Sequence, residues 1–321
     1  MFSGLASGLL WALNSVVLGI VMSMSPFIST EQAIFLAPFV STFLNDFFSS
    51  MYMFIYSAIK KQTKKVFKVT FSKAGLWIVI ASLIGGPIGM TGYVLSISYM
   101  GSSIASVASA IYPAIGVLCA RLFLKEKMRW YQYLCLVLTM LGIYGMSYSP
   151  NVEITNFLLG LLGTAMCAIG WGLEAVLIGK GLKNDEVSSD IALHIRQTVS
   201  WLAYAIIILP CLQYFNAWQF TVLLFNIVNT QWLIPLIMLA GLFGTASYLF
   251  YYKAIDNIGA TKALPLNVTY VAWTIIINLI LFQNVEDYNW LSYLSIAVVF
   301  ISSIFAAIDV SQLRRNKDVQ H

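Results

Sequence analysis

Long apolar runs separated by short polar connections fill this chain, without the strict alternation that barrel strands require. A helix needs about 20 mostly apolar residues to cross a hydrocarbon core roughly 30 Å thick. Ten stretches meet that length, at 2–24, 32–59, 74–100, 103–124, 130–148, 156–180, 189–214, 231–255, 260–283 and 289–309. The pattern predicts an all-α polytopic membrane protein. Composition agrees: 60% hydrophobic residues, 10% charged residues and a mean hydropathy of +0.82 exclude an ordinary soluble domain.

Charge adds an orientation. Lys60, Lys61, Lys64, Lys65, Lys68 and Lys73 share one connection; Arg121, Lys125, Lys127 and Arg129 the next but one; Lys180 and Lys183 a third. Lys253 with Lys262, and Arg314, Arg315 and Lys317, continue the alternation, while the intervening connections carry only acids such as Glu31, Glu153, Glu286 and Asp287. Positive residues collect on the cytoplasmic side, so an even number of spans with both termini cytoplasmic is expected. The net charge of +5 then reports topology and contact with anionic membrane lipids, not nucleic acid. The first span lacks a basic flank and a small-residue cleavage site, and reads as a retained helix. Cys119, Cys135, Cys167 and Cys211 lie apart inside spans, which suggests neither disulfides nor a metal site.

The chain also repeats itself. "WALN" at Trp11–Asn14 parallels "WGLE" at Trp171–Glu174; Gly89-x-x-x-Tyr93 parallels Gly244-x-x-x-Tyr248; and "GSSIASVASAIYP" parallels "GATKALPLNVTYV", aligning Tyr112 with Tyr270. The expected organisation is a five-helix repeat over 1–150, a second over 151–310 and a cytoplasmic tail at 311–321. Five spans per repeat turn the second copy over in the membrane, an architecture of alternating-access transporters with the substrate at mid-membrane.

Candidate chemistry follows from what is costly in lipid. Gly85, Gly86, Pro87 and Gly89 crowd into one span, where small residues allow close backbone approach and proline frees a carbonyl. They mark either static close packing or a hinge beside a cavity. Deep ionisable groups are Asp46, Glu174 and Arg196, with His194. Glu174 lies one turn from Trp171 on the same face, and a ring beside a carboxylate suits a desolvated organic cation. Trp11, Tyr93, Tyr112, Tyr248, Tyr270 and Trp273 complete a candidate aromatic cage, and Asn14 and Asn267 are candidate hydrogen-bonding groups. Each has a structural alternative: aromatic belts for the rings, interhelical bonding for the asparagines, an ion pair with Arg196 for Glu174, a local cap for Asp46 instead of a proton relay. Tyr251 and Tyr252 are expected to be packing or belt residues, and His194 a satisfied helix-end histidine. Two histidines and no HExxH, GxSxG or CxxC leave no evident catalytic set and imply no cofactor.

These blocks carry a resemblance. Two five-helix halves resemble the drug/metabolite transporter superfamily, EamA-like members included, across essentially the whole chain. More narrowly, "GPIGM" (Gly86–Met90), "SAIYPAI" (Ser109–Ile115), "CAIGWGLEAVL" (Cys167–Leu177), "IRQTVSWL" (Ile195–Leu202) and "LNVTYVAW" (Leu266–Trp273) look like LicB-type choline permeases of bacteria. The resemblance implies a multi-pass importer in the bacterial plasma membrane, considered proton-coupled in that family, which encloses a trimethylammonium group in aromatic rings. Trp11, Trp171, Glu174, Tyr248, Tyr270 and Trp273 match the cage and its acid, and Asp46 a second acidic position. The "ALN" after Trp11 and the aromatic at Tyr93 depart from that pattern. Glu126 fits the acid that ends the family's fourth helix, where the second half has Asn284. Import of choline or a related cation is the leading expectation; export of amino acids, aromatic drugs or other small metabolites is the alternative. A monomer and a homodimer both fit.

Overall fold

A computed structural model describes residues 1–96, 99–100, 110–147, 156–184, 187–215, 219–283 and 288–308. Among these residues the chain is helical, with no strand. Eight helices are long and apolar enough to cross a membrane. They are α1 (Phe2–Met22), α2 (Glu31–Ile59), α4 (Lys73–Ser96), α7 (Phe157–Leu182), α8 (Ser189–Tyr214), α10 (Leu233–Ile258), α11 (Ala260–Phe282) and α12 (Trp290–Ala307). Two shorter apolar helices, α5 (Tyr112–Leu124) and α6 (Trp130–Ser147), stand where the fourth and fifth spans are expected. The first residues of the expected fourth span, 103–109, lie outside the described residues.

Polar caps set where several helices begin. Thr30 accepts a bond from Ala33 N, Ser72 from Gly75 N, Asn156 from Leu159 N and Asn289 from Ser292 N. Each satisfies an amide that has no partner within its own helix. At the α10–α11 junction Gly259 alone separates the helices, at φ +84°. The positive φ requires glycine. The Glu126 carboxylate also fills the space where a Cβ would lie.

Helices pack in related pairs. α1 lies against α10 and α4 against α7; α1 against α11 and α5 against α7; α2 against α10 and α4 against α8. α2 meets α8 and α6 meets α12. Exchanging each helix of the first group of spans with its counterpart in the second maps this set onto itself. Two helices occur in stretches expected to be connections. α3 (Thr63–Thr70) tucks Val66 and Val69 under the α2–α4 turn, and α9 (Gln219–Asn229) packs Leu223 and Ile227 against Val21, Phe27 and Leu36. Both are short, α3 amphipathic and α9 apolar, so a search for span-length apolar runs passes over them.

Candidate functional site

α4 is irregular beside the bundle centre: Ile84–Ile88 is a π-helical turn containing Gly85, Gly86 and Pro87. Pro87 supplies no amide, and the widened register leaves the Gly85 carbonyl to accept from Trp171 Nε1 at 3.1 Å. A Cβ at Gly85 would overlap the Glu174 carboxylate. Close approach of α4 to α7 therefore sets that glycine, and the same approach brings Trp171 and Glu174 to the cavity wall.

The cavity measures about 300 Å³. On α1 its lining runs from Trp11 through Asn14 and Leu18 to Met22; on α4 it runs from Gly85 and Gly86 to Met90 and Tyr93. These series lead away from the lysine-bearing end of the bundle. Toward that end the lining stops at Arg196, Tyr248 and Tyr251, and fully buried Ile178, Leu193 and Tyr252 pack beyond.

Its floor is an ionic cluster. Arg196 Nε donates to Glu174 Oε1 at 2.8 Å, while Nη1 donates to Asp46 Oδ2 at 3.2 Å and to Gln197 Oε1 at 2.8 Å. Nη2 donates to the Tyr248 hydroxyl at 2.9 Å, and the guanidinium carbon stands 4.4 Å from the Tyr248 ring centroid. Ser200 Oγ donates to Asp46 Oδ2 at 2.7 Å, and the Tyr252 hydroxyl to Glu174 Oε1 at 3.4 Å. Asp46, Glu174 and Arg196 are at most 6% exposed. Two carboxylates against one guanidinium give the lining a formal charge of −2 + 1 = −1. Burial makes such a charge demanding of a partner.

The aromatic walls are in contact. Trp11 meets Tyr248 edge-on at 5.1 Å, and Trp171 meets Tyr93 at 5.5 Å and Tyr112 at 5.8 Å between centroids. Tyr270 also lines the cavity. The Tyr112 hydroxyl donates to Asn267 Oδ1 at 3.0 Å, and Asn267 Nδ2 to Ser7 Oγ at 3.1 Å. Asn14 Nδ2 donates to Asn45 Oδ1 at 2.8 Å and to the Ala240 carbonyl at 2.7 Å, tying α1 to α2 and α10.

The cavity thus gathers Trp11, Asn14, Asp46, Gly85, Gly86, Tyr93, Tyr112, Trp171, Glu174, Arg196, Tyr248, Asn267 and Tyr270. Gly89 lies just behind the wall, where a Cβ would stand 2.9 Å from Trp171 Cδ1. Trp273, expected in the cage, is elsewhere. It meets Phe300 edge-on at 4.9 Å between centroids and packs with Ala12, Val16 and Ile277, and its buried Nε1 has no hydrogen-bond acceptor among the described residues. Tyr251, expected to be a packing or belt residue, lines the cavity, and Tyr252 reaches Glu174. His194 lies outside it, bonded to Ser57 Oγ at 2.9 Å. Ser200 and Gln197 join the cluster without having been singled out; Ser200 sits one turn from Arg196, and that i, i+4 spacing is the signal that finds it.

Comparison with known proteins is consistent with this architecture. Residues 1–148 match the EamA-like transporter family. Protein LicB of Haemophilus influenzae is 29% identical over 205 residues, which cover 64% of this chain and 66% of LicB, just under two thirds of that relative's length. A protein of known crystal structure superposes with a TM-score of 0.70 over 95% of this chain and 96% of its own, at 13% identity, a likeness of fold. With eight helices long and apolar enough to cross a membrane, the chain is a multi-pass membrane protein whose residues 1–148 are similar to the EamA-like transporter family and which is similar over part of its length to LicB.

Proposed function

We propose that the chain imports a small organic cation, choline or a related quaternary ammonium compound, across the bacterial plasma membrane by alternating access. One observation carries the reading: an aromatic-walled cavity of about 300 Å³ whose floor holds two carboxylates and a single guanidinium. The single unbalanced negative charge is what a monocation would neutralise. Trp11, Trp171, Tyr93, Tyr112, Tyr248 and Tyr270 supply ring faces to a quaternary ammonium group, which has no N–H to donate. Asn267 is the group for a substrate hydroxyl. The resemblance of its sequence blocks to choline permeases favours that substrate class.

The transport cycle rests on the two halves. The self-mapping helix pairs support a 5+5 inverted repeat, and the alternating lysine-rich connections support ten spans with both termini in the cytoplasm. In that orientation the cavity leads outward and is closed toward the cytoplasm. A cation entering from outside meets the rings first and then competes with Arg196 for Glu174. A membrane potential of 100 mV contributes about 2.3 kcal/mol per positive charge moved inward. A protonatable Asp46 or Glu174 would add proton coupling; the contacts of Asp46 with Arg196 and Ser200 support a relay at that position.

Arg196 in the lining favours one other reading, a zwitterionic amino acid whose carboxylate meets the guanidinium, handled in the export direction. Titration of the purified chain with choline, betaine, ethanolamine and an aromatic amino acid, followed by tryptophan fluorescence and thermal shift, separates the two. A ligand at 100 times its Kd adds about 2.7 kcal/mol of apparent stability. Saturable choline binding followed by concentrative uptake into proteoliposomes is expected. A response to the amino acid, with none to any quaternary ammonium compound, overturns the choline reading.

A further inference from the structure

From Phe47 to Lys125 the sequence contains no Asp or Glu, yet it contains Lys60, Lys61, Lys64, Lys65, Lys68 and Lys73 within one connection. Within that connection lies α3, which carries Lys64, Lys65 and Lys68. Its underside is fixed: Val66 and Val69 are buried, Ser72 Oγ donates to the Val69 carbonyl at 2.7 Å, and a Cβ at Gly75 would overlap that carbonyl. α3 is thus held rigidly to the start of α4 and also packs on α8, the helix that carries Arg196.

Its outer face is not explained by packing. Phe67 is 70% and Phe71 76% exposed, and the two rings meet at 5.0 Å as an i, i+4 pair. Lys64 and Lys68 flank them on the same face, with Lys65 beside it. Lys60 pairs with Asp190 at 3.7 Å, but among the described residues no carboxylate pairs with Lys64, Lys65 or Lys68. The helix lies between the end of α2 and the start of α4, at the boundary of two membrane spans.

We propose that this face of α3 is an interfacial docking surface for anionic phospholipid: Phe67 and Phe71 enter the headgroup–acyl boundary, and Lys64, Lys65 and Lys68 hold the phosphates. An exposed aromatic pair ringed by unpaired lysines fits a surface that is apolar below and negative above. The proposal is independent of the transported substrate.

The test is native mass spectrometry of the full chain titrated with phosphatidylglycerol or phosphatidylcholine, for wild type and for Lys64→Gln/Lys65→Gln/Lys68→Gln. Wild type should retain phosphatidylglycerol preferentially. Each lysine removed should weaken that binding about fivefold at low salt, and the preference should shrink as ionic strength rises. Lys125→Gln/Lys127→Gln, on another basic connection, should keep the preference. Phe67→Ser/Phe71→Ser should weaken retention of both lipids. Equal retention of the two lipids by wild type, an unchanged preference in the triple variant, or equal loss in the Lys125/Lys127 variant overturns the assignment. So does inorganic phosphate that displaces phosphatidylglycerol at matched concentration and ionic strength, because it marks a free-anion site.

Discussion

Glu174→Gln is the sharpest test of the charge argument. The substitution keeps the size of the side chain and an oxygen for Arg196 Nε, now 2.8 Å from Glu174 Oε1, while the lining charge goes from −1 to 0. A trimethylammonium group keeps its nitrogen about 5 Å from a carboxylate carbon. At an effective dielectric of about 20 the lost attraction is then 332/(20 × 5), about 3 kcal/mol, or roughly 200-fold in Kd. The assay is quenching of the cavity tryptophans, Trp11 and Trp171, by choline and by its neutral carbon isostere 3,3-dimethylbutanol. Choline affinity should fall by about two orders of magnitude and the isostere by less than about threefold, because only the charge term changes. Equal losses would mean that the variant had merely disturbed the wall. An unchanged choline affinity would refute the reasoning outright, since the negative charge would then face Arg196 alone.

Three further substitutions bear on separate parts of the structure. Gly85→Ala places a Cβ in the Glu174 carboxylate and should break its bond to Arg196, at a cost of about 3–5 kcal/mol for opening a buried pair; Gly19→Ala, with nothing near its added Cβ, should change stability by no more than about 1 kcal/mol. Equal thermal shifts in the two variants would contradict this account. Trp273→Phe removes a buried N–H that has no acceptor, outside the cavity; choline affinity should stay within about twofold, with stability unchanged or raised, and a large loss of affinity would return Trp273 to the cage. Glu126→Gln removes a charge from the start of α11, where the carboxylate accepts from Ala260 N at 3.1 Å and Thr261 N at 2.8 Å. Hydrogen exchange at those two amides should accelerate about five- to tenfold, corresponding to about 1 kcal/mol; unchanged exchange would exclude a stabilising cap.

The spans were legible because lipid leaves helices little choice of composition, and span-length apolar runs appear in the sequence as such. The ionic cluster was legible for the converse reason: Asp46, Glu174 and Arg196 are expensive where they are, so they stand out. Their mutual pairing was not, because helix numbering gives depth without rotation. Trp273 shows the same limit. Steps of three residues from Asn267 through Tyr270 rotate by about 60° each around a helix, so the ring of Trp273 leaves the cavity face and lies against α12 and α1. Tyr251 packs in the buried core, as expected, and also lines the cavity; it lies three residues from Tyr248, and that spacing points to a shared face that depth alone does not show. α3 and α9 escape a search for spans because α3 shows only an amphipathic periodicity and the apolar run of α9 is too short to cross a membrane.

The cavity leads away from the lysine-rich end, so in the proposed cycle a cation must open that end to pass. Glu126 caps α11 there and Lys183 Nζ donates to the Leu124 carbonyl at 3.1 Å, while Ser96 Oγ and Thr164 Oγ1, 2.9 Å apart, join the halves at the other end. A ligand shifts a conformational equilibrium only by contacts that differ between the states. In the cavity two such contacts are available. Trp171 holds the π turn of α4 through the Gly85 carbonyl while presenting its ring to the cavity, so a substrate that repositions the ring also loads the irregular turn. Arg196 joins α8 to α2, α7 and α10 through Asp46, Glu174 and Tyr248, so a cation that displaces it from Glu174 breaks the α7 contact and leaves the guanidinium held by α2 and α10 alone. In the proposed cycle, recognition and opening therefore depend on the same side chains. A ligand that fills the rings without a positive charge would load the Trp171 contact, leave the Arg196 contact intact, and bind without being carried.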